Sequence, residues 1–497
     1  MDSTLFLSGF LAYVVFMIWL GWRVSRNQKS GTDFLLGGRS LPLFLTLGTT
    51  VATMVGTGSS MGAVGFGYAN GWAGMLYGIG GAIGILLTAW WFAPVRKLRF
   101  MTMSEELSYY VGANRTVKNL VGVLIFIACI GWLGAHILGG SLYLSWAAGI
   151  DITTAKICIA LGFTIYVVIG GYTAVVWTDT IQALVLFFGF ILMAVGAVHY
   201  IGGWDNLYQG LDPAVLTPFA VEKLGTLPAI SLAVVVGVGV LATPSFRQRI
   251  YSGKDVGTVR RSFVISGVLY LFFAALPAII GMAAHVIDPG LDNNNFAFPF
   301  VAATVLPASL ALVVLIAGLS ATMSSASSDA IAGVSIMLRD LYVLFTGRMP
   351  AQEKTISYSR YALVAVIGLA LAFALTSNDI ITYITRMIST VMSGMFVCAL
   401  LGRYWPRYNW QGAIASLIGA SVASFSVILN GDWNAYWGNP CIPSVIVAAG
   451  SGFLVSLLTP ANKVAPEEAL RILTEEREQM ETAGSQTVAA SSQTKTA

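Results

Sequence analysis

Charge is what this chain most lacks. Asp, Glu, Lys and Arg make up only 10% of its 497 residues, against 56% hydrophobic residues, and the mean hydropathy is +0.77. A chain so poor in charge cannot cover a globule with a hydrated surface, which excludes a soluble enzyme or binding module. Cysteine is scarce too: Cys129, Cys158, Cys398 and Cys441 lie far apart with no paired spacing, so neither a disulfide framework nor a zinc site is indicated. No paired carboxylates, nucleophile constellation or metal-ligand cluster falls on one face, which argues against an enzyme. The net charge of +4 is spread over short loops and does not point to nucleic acid.

What the chain has instead is long apolar runs and 53 glycines, the small residues that let membrane helices approach closely. Taking runs of about 20 residues as spans, thirteen transmembrane helices are expected, near 4–23, 40–66, 72–95, 118–148, 153–173, 177–201, 228–250, 262–287, 308–339, 357–376, 379–401, 409–430 and 439–459. Basic residues test the count. Lys and Arg concentrate in alternate loops, around Arg23 to Arg39, Arg96 to Lys118, Arg247 to Arg261, Arg339 to Arg360 and Arg403 to Arg407. That phase puts the N-terminus outside and the C-terminus in the cytoplasm, in a bacterial inner (plasma) membrane. Arg23, Arg26 and Lys29 follow the first apolar run and do not precede it, so it reads as a retained helix and not a signal peptide. Two external segments, 202–227 and 288–306, are long enough for structure of their own, the second as a lid over an outer vestibule or as a packed surface loop. Residues 467–482 have helical composition, and 483–497 read as disordered.

Within the ninth span lies Ser320-Ala321-Thr322-Met323-Ser324-Ser325-Ala326-Ser327-Ser328-Asp329. At about 100° per residue, Ser324, Ser327 and Ser328 share one helix face and Ser325 adjoins it, so four hydroxyls can converge on a hard cation. Two readings stand at this point: an ion site, or small hydroxylated residues that back-bond to their own carbonyls and let helices pack. Two spans carry breakers, Ala52 to Ser60 with Gly56 and Gly58, and Gly237, Gly239 and Pro244 in the seventh. Interrupted helices in separated parts of a transporter-like chain point to a midplane site, and ordinary glycine packing is the alternative. Four ionisable residues fall inside spans: His136, Asp179, Asp329 and Arg386. Such groups tend to be functional. A helix cap at Asp179, a satisfied core histidine at His136 and a snorkelling Arg386 are the plainer readings; for Asp329 no local basic group offers one.

Several stretches together resemble the sodium/solute symporter family. They are Asp33-Phe34-Leu35-Leu36-Gly37-Gly38-Arg39, Gly170-Gly171-Tyr172 running on to Trp177-Thr178-Asp179-Thr180-Ile181-Gln182, the Gln248-Arg249 pair, and the serine block followed by Arg339-Asp340-Leu341-Tyr342. The resemblance implies an all-α polytopic protein with a 5+5 inverted-repeat core, an extra N-terminal helix and two C-terminal helices. The corresponding division is 1–39 for the N-terminal helix and first loop, 40–201 and 202–401 for the repeats, 402–459 for the last helices and 460–497 for the tail. It also implies a primary sodium site from the backbone carbonyls of Ala52, Val55 and Ala321 with the side chains of Ser324 and Ser325. A second sodium, found in some relatives, would use Asp179 with Ser324, Ser327 and Ser328. The serine helix is most similar to the choline-transporter branch, but Ser327 stands where that branch is acidic. Met54 and Thr243 replace its tryptophans, so choline is not the expected solute.

The expected function is sodium-coupled symport of a small polar solute by alternating access, by a monomer in contact with membrane lipid and sodium. The solute pocket is expected from Thr57, Ser59, Ser60, Trp132, His136, Thr243, Thr385 and Arg386, and a basic Arg386 inclines the solute toward a carboxylate or amino acid. A ligand sensor that acts through a signalling partner is the alternative. The ion assignment makes a direct prediction: Ser324→Ala with Ser325→Ala raises the sodium concentration needed for half-maximal uptake steeply without loss of expression, and an unchanged sodium curve would reduce the serine block to packing.

Overall fold

A computed structural model describes residues 3–26, 31–375 and 380–493. Among them the chain is helical throughout, its one strand-like feature being a lone bridge between Leu41 and Gly253. Ten helices are long and apolar enough to cross a membrane, or eleven when Thr226–Ala242 and Pro244–Ser252, bent by 43°, are taken as one span. Two shorter apolar helices, Leu43–Met54 and Ile152–Gly162, overlap two further expected segments. The fifth and sixth segments meet at Gly171, whose φ of 56° and ψ of −154° break Ile152–Tyr200 into two helical directions.

The element that positions everything else is the serine helix, Ala308–Ile336, in which every residue from Ala317 to Ile336 is buried. It lies against Arg115–Ala148 and Ile152–Tyr200. The N-terminal helix Ser3–Ser25 is tied to it by polar contacts as well: the Tyr13 and Ser320 hydroxyls are 2.7 Å apart, and the Gln182 amide donates to Tyr13 at 2.7 Å. Such bonds are valuable in a membrane core, where water cannot satisfy a polar side chain.

The two long segments 202–227 and 288–306 have helices of their own. Trp204–Gln209, Pro213–Leu216 and Val221–Leu224 fill the first, and Ala297–Val305 the second. The second is pinned to the bundle: Phe298 meets Phe190 at 4.7 Å and Tyr143 at 5.5 Å between ring centroids. Tyr68, at the end of the broken span, donates its hydroxyl to the Asp288 carbonyl at 2.9 Å.

On the face carrying the basic loops, charges are paired. Glu106 is completely buried, accepts the Tyr251 and Tyr110 hydroxyls at 2.6 and 3.0 Å and lies 3.8 Å from Arg247. The Arg247 guanidinium in turn covers the Phe92 ring at 3.3 Å. The terminal helix Pro466–Gln493 docks here through Lys118–Glu476 at 2.7 Å, Arg477–Glu105 at 2.9 Å and Arg339–Glu481 at 3.5 Å. Burial pushes the Glu105 carboxyl up, but Arg477, Lys118 and the Met101 amide outweigh it and leave the group below its usual range. The expectation of disorder over 483–497 is corrected as far as Gln493; residues 494–497 lie outside the described residues. Once its first turns are docked, a helix extends at little cost per residue.

One contact makes the close packing testable. A Cβ at Gly80 would run into the backbone carbonyl oxygen of Ala233 on the facing helix Thr226–Ala242, where Gly237 reciprocates. Backbone cannot yield as a side chain can, so Gly80→Ala is expected to lower stability by about 1–3 kcal/mol, read as an earlier thermal melt in detergent; an unshifted melt would mean that the two helices are free to part.

Candidate ion and solute site

The second span stops being helical where it meets the serine helix. Leu43–Met54 ends at Val55 (φ −95°, ψ 73°), and helix resumes through a wide turn over Gly58–Gly62 into Ala63–Asn70. A helix end leaves its last carbonyls without partners four residues on. Ser324 supplies one, donating to Ala52 O at 3.1 Å and to Ala321 O at 3.3 Å. Ser325 donates to Ala52 O at 3.4 Å and Thr53 O at 3.2 Å. Ala52, Ala321, Ser324 and Ser325 thus meet in one buried cluster of oxygens, with Val55 at the break beside them. Thr53 joins with its own carbonyl, which sequence reasoning missed.

Asp179 lies in a second cluster. It is fully buried and accepts hydrogen bonds from Thr49 at 2.6 Å, Ser328 at 3.0 Å and Ser327 at 3.5 Å. Ser324 stays with the first cluster, and the cation beside Asp179 is the guanidinium of Arg249, 3.4 Å away and equally buried. Arg249 also donates to Thr49 O, Ser245 O, the Thr49 and Ser328 hydroxyls at 3.2, 2.7, 2.8 and 2.5 Å, and to the Thr53 hydroxyl. One side chain ties four helices together. The signal for it was present in the Gln248-Arg249 pair, but nothing in the sequence aims the guanidinium at Asp179.

Between these clusters and the opposing helices is a small cavity of about 40 Å³. Of the expected solute residues, Ser59, Trp132, His136 and Thr243 line it. Thr57 lies behind His136, 2.9 Å from its Nδ1, and Ser60 turns back to Gly56 O at 2.7 Å. Thr385 is buried but donates to Thr382 O within its own helix, at 3.2 Å. Arg386 is exposed, and neither it nor Thr385 is among the cavity-lining residues. Its exposure fits a long charged side chain that reaches toward water. Rings that sequence reasoning had not placed, Tyr77, Phe246 and Tyr270, line the cavity together with Trp132. Asp329 now has a partner: its Oδ2 is 3.2 Å from His136 Nε2, both side chains being 4% exposed.

An interrupted helix against a hydroxyl-rich one, with a cavity alongside, defines an ion-coupled membrane carrier. The comparisons agree. The model of the sodium:solute symporter family matches residues 34–419, and the chain belongs to that family. It is 27% identical over 404 residues to the sodium/pantothenate symporter of Haemophilus influenzae, covering 78% of this chain and 82% of that one. It is 27% identical to the sodium/glucose cotransporter of Vibrio parahaemolyticus (82% of each chain) and 25% to the sodium/proline symporter of Salmonella typhimurium (94% and 95%). In fold it is similar to a sodium-coupled sialic acid symporter solved in a substrate-bound outward-open state, with a TM-score of 0.81 at 20% identity over 93% of this chain and 99% of that one. The protein is a multi-pass, sodium-coupled solute symporter with the inverted-repeat transporter fold.

The Asp179–Arg249 pair separates two roles by measurement. Asp179→Asn leaves a buried guanidinium uncompensated and is expected to cost about 3–5 kcal/mol of stability, much of it recovered when Arg249→Gln is added. A second sodium at Asp179 would show instead as a lower Hill coefficient for sodium in the single variant; if both readouts stay at the wild-type value, Asp179 has neither role.

Proposed function

We propose that this symporter binds its driving sodium at the oxygens of Ala52, Val55, Ala321, Ser324 and Ser325 and its solute in the adjacent cavity, and that the two repeats, 40–201 and 202–401, rock to open that cavity alternately to either side. The observation that carries this is the 3.1 to 3.4 Å approach of the two serine hydroxyls to the carbonyls of the broken helix at the cavity wall. A hydroxyl has one proton and two lone pairs. With its proton on a carbonyl it closes the cluster; turned round, the same oxygen joins that carbonyl in facing a cation. Neutral oxygens hold sodium loosely enough to release it.

With sodium bound, the broken helix and the serine helix are held in one arrangement, and the cavity wall at Thr53, Met54 and Gly56 takes its solute-binding shape. Coupling is reciprocal, so solute tightens sodium by the factor by which sodium tightens solute. The helices 1–39 and 402–459 flank the moving core, and the tail 460–497 lies on the cytoplasmic side. The arrangement is that of an inner-membrane importer active as a monomer in lipid, with its N-terminus outside. A second ion at Asp179, Ser324, Ser327 and Ser328 is the weaker half of the assignment, because Arg249 occupies that neighbourhood.

The solute is small and polar. Pantothenate, glucose and proline differ in charge, so the relatives' solutes do not choose among classes. The inclination toward a carboxylate lapses, because Arg386 is exposed and His136 faces Asp329. The reading is tested by counterflow of a labelled-solute panel in proteoliposomes with sodium or potassium on both sides. Exchange of the carried solute should require sodium, and exchange that proceeds equally in potassium would sink the coupling assigned to this cluster.

A further inference from the structure

We infer that the carried solute bears a protonated amino group, received by the free oxygen of Asp329 in the wall of the cavity. The inference rests on the reading of that cavity as the solute site. Asp329 is 3% exposed, and while Oδ2 faces His136, Oδ1 has no hydrogen-bond partner among the described residues. A buried acceptor left open is costly, and one that lines a cavity is satisfied by whatever enters. Two more buried polar atoms without partners, Trp132 Nε1 and Ser245 Oγ, belong to residues of the same cavity. They come from two other helices, Arg115–Ala148 and Pro244–Ser252, so unmet hydrogen bonding converges here from three elements.

The charge balance selects the class. When Thr57 donates its hydroxyl to His136 Nδ1, the imidazole keeps its proton on Nε2 and donates it to Asp329. With Thr57 as that donor the imidazole carries one proton, and the pair then gives the cavity one net negative charge, which is the state the inference takes. No Lys or Arg is among its lining residues; Arg249 is engaged with Asp179, and Arg386 is exposed. An anionic solute would meet an uncompensated carboxylate, and a neutral one would leave that carboxylate buried without a counter-charge. An ammonium group supplies both the charge and the N–H donor, the stronger kind of hydrogen bond. The rings of Tyr77, Phe246, Tyr270 and Trp132 around it favour a cation as well. Trp132 Nε1–H asks for an acceptor on the solute, which fits an amino alcohol or amino amide better than a plain alkylamine.

Position links this group to the ion. Asp329 is four residues after Ser325, so the two lie on one face of the serine helix, one turn apart. The helix that would hold sodium thus presents the solute's counter-charge about 6 Å further along.

The test is sodium-driven uptake into proteoliposomes of the full chain, with labelled ethanolamine, serinol and putrescine as cationic probes and glycolate and galactose as anionic and neutral ones. Uptake should be confined to amines. Asp329→Asn should raise the half-saturating amine concentration by about tenfold or more, with Asp329→Glu between it and wild type and with ²²Na⁺ binding retained in both variants, which shows that they are folded. Sodium-driven uptake of glycolate or galactose that survives Asp329→Asn overturns the inference and leaves the coupling reading intact. Amine uptake that needs Asp329 but not sodium does the reverse. Absence of uptake of every amine by a preparation that binds sodium also overturns the inference.

Discussion

Carbonyls at the end of a helix broken inside a bilayer have no water to turn to. Ala52 and Thr53 present such carbonyls, and the Ser324 and Ser325 hydroxyls across from them are the partners that make the break tolerable. The serine helix can offer them because it stays continuous and buried through that whole region, while its partner is interrupted. A continuous helix against an interrupted one brings side-chain oxygens to backbone oxygens at a spacing that a hydroxyl rotation can alter. Much of the surrounding packing holds these two stretches in register.

The buried ionisable groups divide by how completely they are satisfied. Arg249 spreads its donors over Asp179, Thr49, Thr53, Ser245 and Ser328, so that pair is a structural knot whose disruption would loosen four helices at once. Asp329 and His136 are held just as deeply but leave one carboxylate oxygen unmatched at a cavity. A fully bonded pair has little left to offer a ligand, whereas an unmatched one keeps a reason to bind. The two pairs sit within one bundle yet serve different ends.

Ion pairing on the face of the basic loops has a different character. Lys118 stands at the start of Arg115–Ala148, Arg339 just past the serine helix and Glu105 on the short helix Met103–Tyr109, while Glu476, Arg477 and Glu481 belong to the terminal helix. These contacts are partly open to solvent, so each is worth little alone and salt weakens them. Three together tie the terminal helix to Arg115–Ala148, to Met103–Tyr109 and to the end of the serine helix.

Much of this was legible before any coordinates, for a physical reason. Hydropathy and glycine content follow from the demand that lipid-facing surface be apolar and helices pack closely, and these demands act residue by residue along the chain. The apolar segments, the break near Val55 and the serine face are therefore written locally, and the family motifs pointed to Asp179 with Ser327 and Ser328, whose side chains meet in the fold. What tertiary structure alone decided is who meets whom. Arg386 was expected at the pocket and is exposed; Thr53, Tyr77 and Tyr270 were not expected and belong to the site. Asp329, inexplicable in its own helix, finds His136 on a helix almost two hundred residues earlier, and Asp179 finds Arg249. Charge pairing across helices depends on rotation and tilt set by the whole bundle, so a single span carries no record of it, whereas its own periodicity and breaks are its property alone.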